Sequence, residues 1–346
     1  MRVQRQDALT IRKALKGWRQ AGMLDEDTVL RLDQSLQIVP FDWQKLAAFS
    51  FWISLACIVV AASAVLADQY LIDLVEALFH SGHGLLSAIL AVLAGGVFTL
   101  GIRTKQAHPE RVFSNEAILF CGVLSTAGAI AELGQAIDDG SGHFSLLILL
   151  SCAVYAALGY GFKSNLIWLF ALLSLGGWMG AETGYASGWG SYYLGMNYPL
   201  RFTLFGTGLT AASAVLARSR SFAPLRQTTL VMGLLYLFIA LWLLSIFGNY
   251  GDIDVWNQTT QTQLLGWSVL FAVAAGAAVY HGLRYDDGMT KGFGLTFLFI
   301  NLYTRYFEYF WNIMHKAVFF SILAISFWLL GRRAEKIWRV GEQAGD

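Results

Sequence analysis

The chain has 346 residues, of which 56% are hydrophobic and only 14% are charged. An ordinary soluble domain is about 25% charged, so this composition excludes a typical soluble globular protein and indicates a chain that lies largely in lipid. The formal net charge of +1 gives no reason to expect a nucleic-acid or an acidic partner. Membrane lipids are therefore the first partner that the sequence predicts.

The first predicted elements precede the apolar part of the chain. Periodic apolar residues within 7–36 predict two short helices that are separated at Gly22, with Asp25 as the cap of the second helix. We predict that residues 1–43 form a cytoplasmic helical hairpin. The hairpin either lies against the membrane surface or the bundle, or binds a protein partner through residues 1–40. A DNA-binding helix-turn-helix would need a stronger basic face than this segment has.

The central part of the chain consists of apolar runs, and about 20 apolar residues are needed to cross a bilayer. Ten runs are candidates, several of them shorter than this, namely 45–67, 84–102, 115–136, 144–162, 165–182, 202–217, 228–248, 262–282, 291–311 and 315–331. The first run follows a polar segment that is longer than the charged region of a signal peptide, so we expect it to remain as an anchor. Residues 44–331 thus predict an all-α, polytopic transmembrane bundle of about ten helices, and residues 332–346 a basic cytoplasmic tail.

The distribution of Lys and Arg predicts how this bundle is oriented. With ten spans, all but three of the 24 basic residues fall in the terminal segments and in the even-numbered connections, and the exceptions are Arg201, Arg305 and Lys316. The opposite connections carry acidic residues such as Asp138 and Asp252. Because basic residues collect on the cytoplasmic side, we predict a multi-pass protein of a bacterial-type inner membrane with both termini in the cytoplasm.

Small residues within the runs predict where helices approach each other closely. They form three pairs, which are Gly95 with Gly96, Gly206 with Gly208, and Ala272 with Gly276. Since lipid provides no hydrophobic force between helices, close backbone contact at small residues promotes association instead. These positions indicate packing within a bundle and carry no chemistry.

Three short motifs carry a resemblance to a known family. Residues 16–24 read KGWRQAGML and precede the short helix that begins near Asp25, residues 131–136 read AELGQA, and residues 303–307 read YTRYF ahead of a basic C-terminus. This pattern resembles a family of predicted bacterial membrane proteins of unknown function, which opens with a tryptophan, a glycine turn and a short helix before a multi-span region. The resemblance implies a polytopic inner-membrane protein and implies no activity.

A polar stripe runs along the ninth predicted span. Asn301, Arg305, Glu308, Asn312 and His315 follow one another at helical spacings of three and four residues, so they share one face. Arg305 and Glu308 are spaced to form an ion pair. One interpretation is an anchor at the outer interface, where aromatic residues also collect. The other is a stripe that faces the bundle interior and lines a polar cavity, as charged residues in spans usually do.

Two further carboxylates extend the cavity interpretation. Glu132 lies late in the third span and Glu182 ends the fifth, and each is followed two residues later by a glycine. In the predicted orientation both lie toward the outer side, at the level of Arg305 and Glu308. An outward-facing pocket that holds carboxylates and an arginine is one interpretation, and two solvated carboxylates at helix ends is the other.

No pattern in the sequence specifies a catalytic, metal or cofactor site. His80 and His83 have a helical spacing without a third ligand, and the same holds for the group Asp138, Asp139 and His143, so we expect solvated histidines in outer loops. The three cysteines lie within apolar runs and are predicted to be small buried hydrophobic residues. Nucleotide-binding glycine loops, zinc-protease and nucleophile-elbow motifs are absent from the sequence.

The outer connection 184–199 is rich in Gly, Tyr and Trp. It is predicted either to fold back as a lid or simply to cover the bundle.

The functional hypothesis drawn from these patterns is binding or passage of a small polar or amphiphilic ligand through an outward-facing cavity. Its predicted ligand-binding residues are Arg305, Glu308, Asn301, Glu132 and Glu182. The alternative is a membrane scaffold or regulatory protein that acts through its N-terminal segment. An enzyme that acts on lipid ranks last, because the sequence lacks a recognisable nucleophile or metal set.

Overall fold

The computed structural model describes residues 2–4, 11, 14–15, 17–19, 22–34, 37–39, 53–54, 57, 60, 82–137, 140 and 142–340. The apolar part of the chain is helical wherever it is described, as the sequence predicts. The strands are β1 (Arg2–Gln4) and β2 (Gln37–Val39). The helices are α1 (Glu26–Gln34), α2 (His83–Ala107), α3 (Val112–Ala136), α4 (Ser145–Phe162), α5 (Asn165–Ala186), α6 (Tyr198–Leu216), α7 (Arg226–Phe247), α8 (Ile253–Asn257), α9 (Gln261–Arg284), α10 (Gly288–Phe310) and α11 (Lys316–Val340), with a 3-10 turn at Ala223–Leu225.

The chain divides into two compact units. The first consists of Met1–Gly82 and Leu100–Ile118, and the second consists of His83–Thr99 and Leu119–Asp346. All candidate site residues belong to the second unit.

In the first unit, β1 and β2 pair in parallel, and α1 corresponds to the second helix of the predicted hairpin. The backbone N–H of Thr28 donates to Oδ2 of Asp25 at 3.2 Å, so Asp25 caps this helix as predicted. Hydrogen bonds from the side chain and from the backbone N–H of Thr28 lower the pKa of the Asp25 carboxyl. The first helix of the hairpin and the first apolar run, 45–67, lie largely outside the described residues, so the hairpin and that span stay predictions.

In the second unit, consecutive helices pair in an antiparallel manner because their connections are short. Helix α4 packs on α5, α6 on α7, and α9 on α10, while α7 also contacts α5, α9 and α10. The connection between α4 and α5 shows how the sequence sets such a turn. Lys163 adopts a left-handed conformation that ends α4, and the Oγ atom of Ser164 accepts a hydrogen bond from the N–H of Ile167 that begins α5.

Glycines set the closest approach between α6 and α7. A methyl group added at Gly206 would lie 2.3 Å from the backbone N of Leu237, and one at Gly233 would lie 2.7 Å from the backbone N of Thr210. Gly206 therefore packs as predicted. The predicted packing glycines Gly95, Gly96, Gly208 and Gly276 have no neighbouring atom within 4 Å of such a methyl group in the part of the chain that the structure describes.

Three clusters of buried side chains hold the second unit together. The first joins the four helices α2, α3, α4 and α5 and includes Phe98, Val123 and Ile167. The second joins α7, α9 and α10 through larger residues, which include Phe238, Phe271, Phe297 and Leu244. The third links α5, α6 and α7 through Leu172, Leu209 and Met232. Because α7 contributes to the second and third clusters, it is the central helix of this unit.

Six helices are long and apolar enough to cross a membrane, judged over the described residues: α2, α3, α4, α5, α9 and α7 extended by the preceding turn. Only 17–44% of each apolar window is buried by the protein itself, and Val92 on α2 is 77% exposed. The other three helices that overlap predicted spans are not among these six. Helix α10 carries Lys291, Arg305 and Glu308, α6 carries Arg201, and the apolar part of α11 that lies within the described residues is Lys316–Ser326. The architecture is that of an integral membrane protein, while the count of ten spans stays a prediction.

Candidate functional site

The two charged residues of the polar stripe form an ion pair on α10. Nη2 of Arg305 donates to Oε1 of Glu308 at 2.9 Å, and the two side chains are only 12% and 18% exposed. Less than one helical turn separates them, which is why both reach the same space. Pairing reduces the cost of removing both charges from water.

The same guanidinium group also closes the C-terminal end of α7. Nη2 of Arg305 donates to the carbonyl oxygen of Ser245 at 2.9 Å. The last four carbonyl groups of a helix have no partner within that helix. The carbonyl of Leu244 accepts from the N–H of Gly248, and that of Ile246 accepts from Nε1 of Trp256. Arg305 therefore supplies a donor to a further member of this set, and its positive charge suits the negative end of the helix dipole.

Asn301 lies one turn before Arg305 and binds across to α9. Its Nδ2 donates to the carbonyl oxygen of Ser268 at 2.9 Å, and its Oδ1 accepts from the hydroxyl of Ser268 at 2.9 Å. Nε1 of Trp242 on α7 donates to the hydroxyl of Thr304 at 2.9 Å, on the same side of α10. Asn301, Arg305 and Glu308 thus face the interior of the second unit, in agreement with the inward interpretation of the stripe.

The second half of the predicted stripe does not continue this face. Helix α10 ends at Phe310, because the turn after it directs the chain into α11. Asn312 and His315 lie after this end and are exposed. The regular spacing therefore overstated the length of the stripe, since helical spacing places residues on one face only while the helix continues.

Some polar atoms of the ion pair remain without a hydrogen bond. Nε and Nη1 of Arg305 and Oε2 of Glu308 are buried and have no hydrogen-bond partner among the described residues, although Nη1 and Oε2 are close enough to attract each other as charges. A buried donor without an acceptor costs about 1–3 kcal/mol. The Nε–H of Arg305 is therefore a buried donor without an acceptor in the part of the chain that the structure describes.

Glu132, another predicted site residue, pairs with a histidine at the start of the same helical hairpin. Oε2 of Glu132 in the last turns of α3 lies 2.9 Å from Nδ1 of His83, the first residue of α2. One turn along, the hydroxyl of Ser87 donates to the carbonyl oxygen of Ala129 at 2.7 Å. These contacts fasten the ends of α2 and α3 together.

Glu182 forms a similar pair in the next hairpin. Its Oε2 lies 3.0 Å from Nε2 of His143 and accepts a hydrogen bond from the hydroxyl of Ser145, the first residue of α4. The His143 ring stacks on Tyr185, with 3.9 Å between the ring centroids. The carboxylate thus ties the end of α5 to the start of α4.

The five predicted site residues consequently form three separate groups. Within the described residues, no ion pair or hydrogen bond joins Glu132 or Glu182 to the Arg305–Glu308 pair or to each other. The His83 and His143 side chains are 48% and 28% exposed, and each also binds a carboxylate, which the prediction of solvated outer histidines did not include. The sequence did contain a signal for these histidine–glutamate pairs. Each histidine lies at the start of a helical hairpin, and the second helix of each hairpin carries Glu-X-Gly near its end.

One buried arginine was missed by the sequence interpretation. Arg201 is 4% exposed and binds three oxygens without a carboxylate: Nε donates to the carbonyl of Met196 at 3.0 Å, Nη2 to the carbonyl of Ser191 at 3.0 Å, and Nη1 to the hydroxyl of Thr183 at 2.9 Å. Its guanidinium carbon also lies 4.1 Å from the ring centroid of Tyr198. The sequence signal for this buried arginine was its exception to the charge distribution, since Arg201 is one of three basic residues outside the predicted cytoplasmic segments.

Two cavities lie at opposite ends of α7. One, of about 340 Å³, lies between the connection 187–199 and the residues that come after α7, and we call it the loop cavity. The other, of about 530 Å³, is lined by Arg226, His281 and Asp287. Neither cavity is lined by any of the five predicted site residues. Over the described part of the chain, no three His, Cys, Asp or Glu side chains are grouped as metal ligands would be.

No protein-family model matches the sequence, and the searches of curated proteins and of solved structures each find no match. The resemblance to a family of bacterial membrane proteins thus stays a prediction. Function has to be inferred from the geometry of the site.

Proposed function

We propose that the protein is a multi-pass protein of a bacterial-type inner membrane, with about ten spans and both termini in the cytoplasm. It binds a small polar or amphiphilic ligand at the outward end of the bundle, where Arg305 and Glu308 lie beside the end of α7. Asn301 positions α10 against α9 next to this pair. Glu132 and Glu182 are already bound to histidines, so the ligand contact is assigned to Arg305.

Exposure of apolar side chains supports the membrane part of this proposal. Large apolar side chains lie on the outside of the helices, for example Val92 on α2 and Val273 on α9, which are 77% and 63% exposed. In water such a continuous apolar surface would cause aggregation. Helices whose backbone groups are bonded internally are the structure that lipid tolerates.

The proposal that a ligand binds at Arg305 depends on one observation. The guanidinium group of Arg305 is buried, and its Nε–H has no acceptor among the described residues. Charged residues inside a membrane protein usually mark a ligand or ion path. Arginine also presents a planar set of donors that matches a carboxylate or phosphate. An anionic amphiphile would place its acidic group at Arg305 and its tail along the lipid-facing surface.

A thermal-shift experiment on the purified full chain tests this assignment. Dodecanoate is the anionic probe, and dodecanol is its uncharged counterpart. We expect dodecanoate to raise the unfolding temperature of the wild type and of the control variant Arg284→Gln, which removes an exposed arginine whose guanidinium donates to Tyr280. Arg305→Gln should lose this shift. An equal shift from dodecanol, or a full shift in Arg305→Gln, would contradict the proposal.

A further inference from the structure

The loop cavity has aromatic walls and, among the described residues, a single charged lining residue. The residues that define its binding chemistry are Trp189, Tyr198, Phe247, Tyr250, Trp256 and Asp252. Lysine, arginine and histidine are absent from its lining as far as the structure describes the chain. A cavity of about 340 Å³ lies at the small end of the range of ligand sites, which extends from about 300 to 1,000 Å³.

Hydrogen bonds between two loops fix the walls of the cavity. The hydroxyl of Ser191 donates to the carbonyl of Gly251 at 2.6 Å, and the N–H of Gly251 donates to the hydroxyl of Tyr192 at 2.7 Å. Nδ2 of Asn197 donates to the carbonyls of Gly248 and Tyr250 at 2.7 and 3.1 Å. The cavity is therefore formed before a ligand arrives, which reduces the entropy lost on binding.

The tryptophan at the rim is held in an unfavourable conformation. Trp189 has a φ of 59° and is 59% exposed. Positive φ is rare for a bulky residue, and glycine would adopt it at lower cost. Strain of this kind collects at functional sites, where the surrounding structure maintains it. The rim of the aromatic cavity thus presents a large exposed ring that a ligand can contact.

Charge decides which ligand class fits. Asp252 lines the cavity, and one of its oxygens accepts from the N–H of Asp254 as the cap of α8. Arg201 does not line the cavity but lies behind its wall, where it donates to the carbonyl of Ser191 at 3.0 Å and contacts the ring of Tyr198. Coulomb interactions weaken with distance, so a ligand in the cavity is affected more by Asp252 than by Arg201. The electrostatics favour a cation.

We propose that the loop cavity binds an organic cation that carries a quaternary ammonium group. Aromatic ring faces attract such a cation through their quadrupoles, and a carboxylate at the rim adds direct attraction. The ligand is either a free choline-like compound or the headgroup of a choline lipid, because both present the same ammonium group. This inference does not rest on the site at Arg305.

Calorimetric titration of the full chain in dodecyl maltoside tests the proposal, since this detergent has no ammonium group. Choline is compared with 3,3-dimethylbutan-1-ol, which has the same shape without the charge. We expect saturable choline binding that is at least about tenfold tighter than binding of the neutral analogue. Dihexanoylphosphatidylcholine, used below its micelle concentration, distinguishes a free choline-like ligand from a lipid headgroup. If it binds clearly more tightly than choline, the natural ligand is a lipid headgroup.

Paired variants locate the binding site. Asp252→Asn keeps a side chain that caps α8, so the fold should persist, and it should weaken choline binding about tenfold. Asp254→Asn removes an equal charge two residues away, outside the lining, and should bind like the wild type. Trp189→Leu should weaken binding, whereas Trp311→Leu, another exposed tryptophan, should not. Equal binding of the neutral analogue, unchanged binding in Asp252→Asn, or no binding of choline or the phosphocholine lipid would overturn the proposal.

Discussion

Arg305 on α10 donates through Nη2 to the carbonyl oxygen of Ser245, 2.9 Å away at the end of α7. This contact explains why an apolar helix carries an arginine at this position. The carbonyl would otherwise lack a partner at a buried helix end, and Glu308 balances the charge that the arginine brings. The ion pair therefore joins two helices, and the Nε–H of Arg305 remains without an acceptor among the described residues.

Breaking this ion pair should destabilise the second unit. Arg305→Gln leaves the Glu308 carboxylate buried without its counter-charge and weakens the bond to Ser245, so we expect a loss of about 3 kcal/mol in the free energy of unfolding. Glu308→Gln leaves the arginine unpaired and should also be destabilising. Unfolding in sodium dodecyl sulfate, titrated from dodecyl maltoside micelles, measures both.

The double variant Arg305→Gln with Glu308→Gln is the control for this coupling. It removes both charges together, so its cost should be smaller than the sum of the two single costs. Additive costs would show that the two side chains act independently.

Gly206 and Gly208 allow a matched test of helix packing. A methyl group at Gly206 would overlap the backbone of Leu237, whereas one at Gly208 meets no described atom within 4 Å. We expect Gly206→Ala to cost about 1–3 kcal/mol through overpacking of α6 against α7. Gly208→Ala should be neutral or slightly stabilising, because alanine loses less backbone entropy than glycine. Equal effects in the same unfolding assay would contradict this packing.

Asp287 should give the stability a dependence on pH. Its Oδ1 accepts from the N–H groups of Met289 and Thr290 at 3.1 and 3.2 Å and so caps α10. Burial is the largest influence on this carboxyl and opposes ionisation, but the hydrogen bonds from Thr290 and Met289 and the charge of Arg226 together hold its pKa below the ordinary value of 3.8. Its stabilising effect is therefore present above that ordinary value and is lost as pH falls through the lower pKa of the folded state.

Two variants measure this effect. Asp287→Ala should lower the free energy of unfolding by about 1 kcal/mol at pH 7, and its difference from the wild type should shrink below pH ~4. Asp287→Asn, which cannot titrate, should approach the wild type at low pH as well. A difference for Asp287→Ala that grows on acidification would refute the assignment.

The proposed orientation can be tested by cysteine labelling in intact cells. The native residues Cys57, Cys121 and Cys152 are first replaced by alanine, and single cysteines are placed at the exposed positions Arg220 and Asp254. A membrane-impermeant maleimide should label Asp254→Cys, which lies in a predicted outer connection, and should label Arg220→Cys only after the cells are opened. Labelling of Arg220→Cys in intact cells would invert or disprove the predicted topology.

Most helix positions, and a chain compatible with a membrane-embedded protein, could be predicted from the amino-acid sequence. Each predicted run from 84–102 onward overlaps a described helix, because runs of apolar residues have to form helices in order to satisfy their backbone groups away from water. The types of individual residues also predicted where a helix begins, as Asp25 did for the start of α1. Helical spacing placed Asn301, Arg305 and Glu308 on one face, since residues three and four apart are always neighbours on a helix.

The contacts of those side chains could not be predicted from the sequence, because they depend on how the helices pack. Residues distant in sequence form the contacts of the site, as Arg305 does with Ser245 and Glu132 with His83, and no local pattern specifies which helices lie side by side. The same is true of the loop cavity, which exists because residues near 190 bind residues near 250. Local sequence fixes hydrogen bonds within a helix, whereas the packing of whole helices fixes the contacts between them.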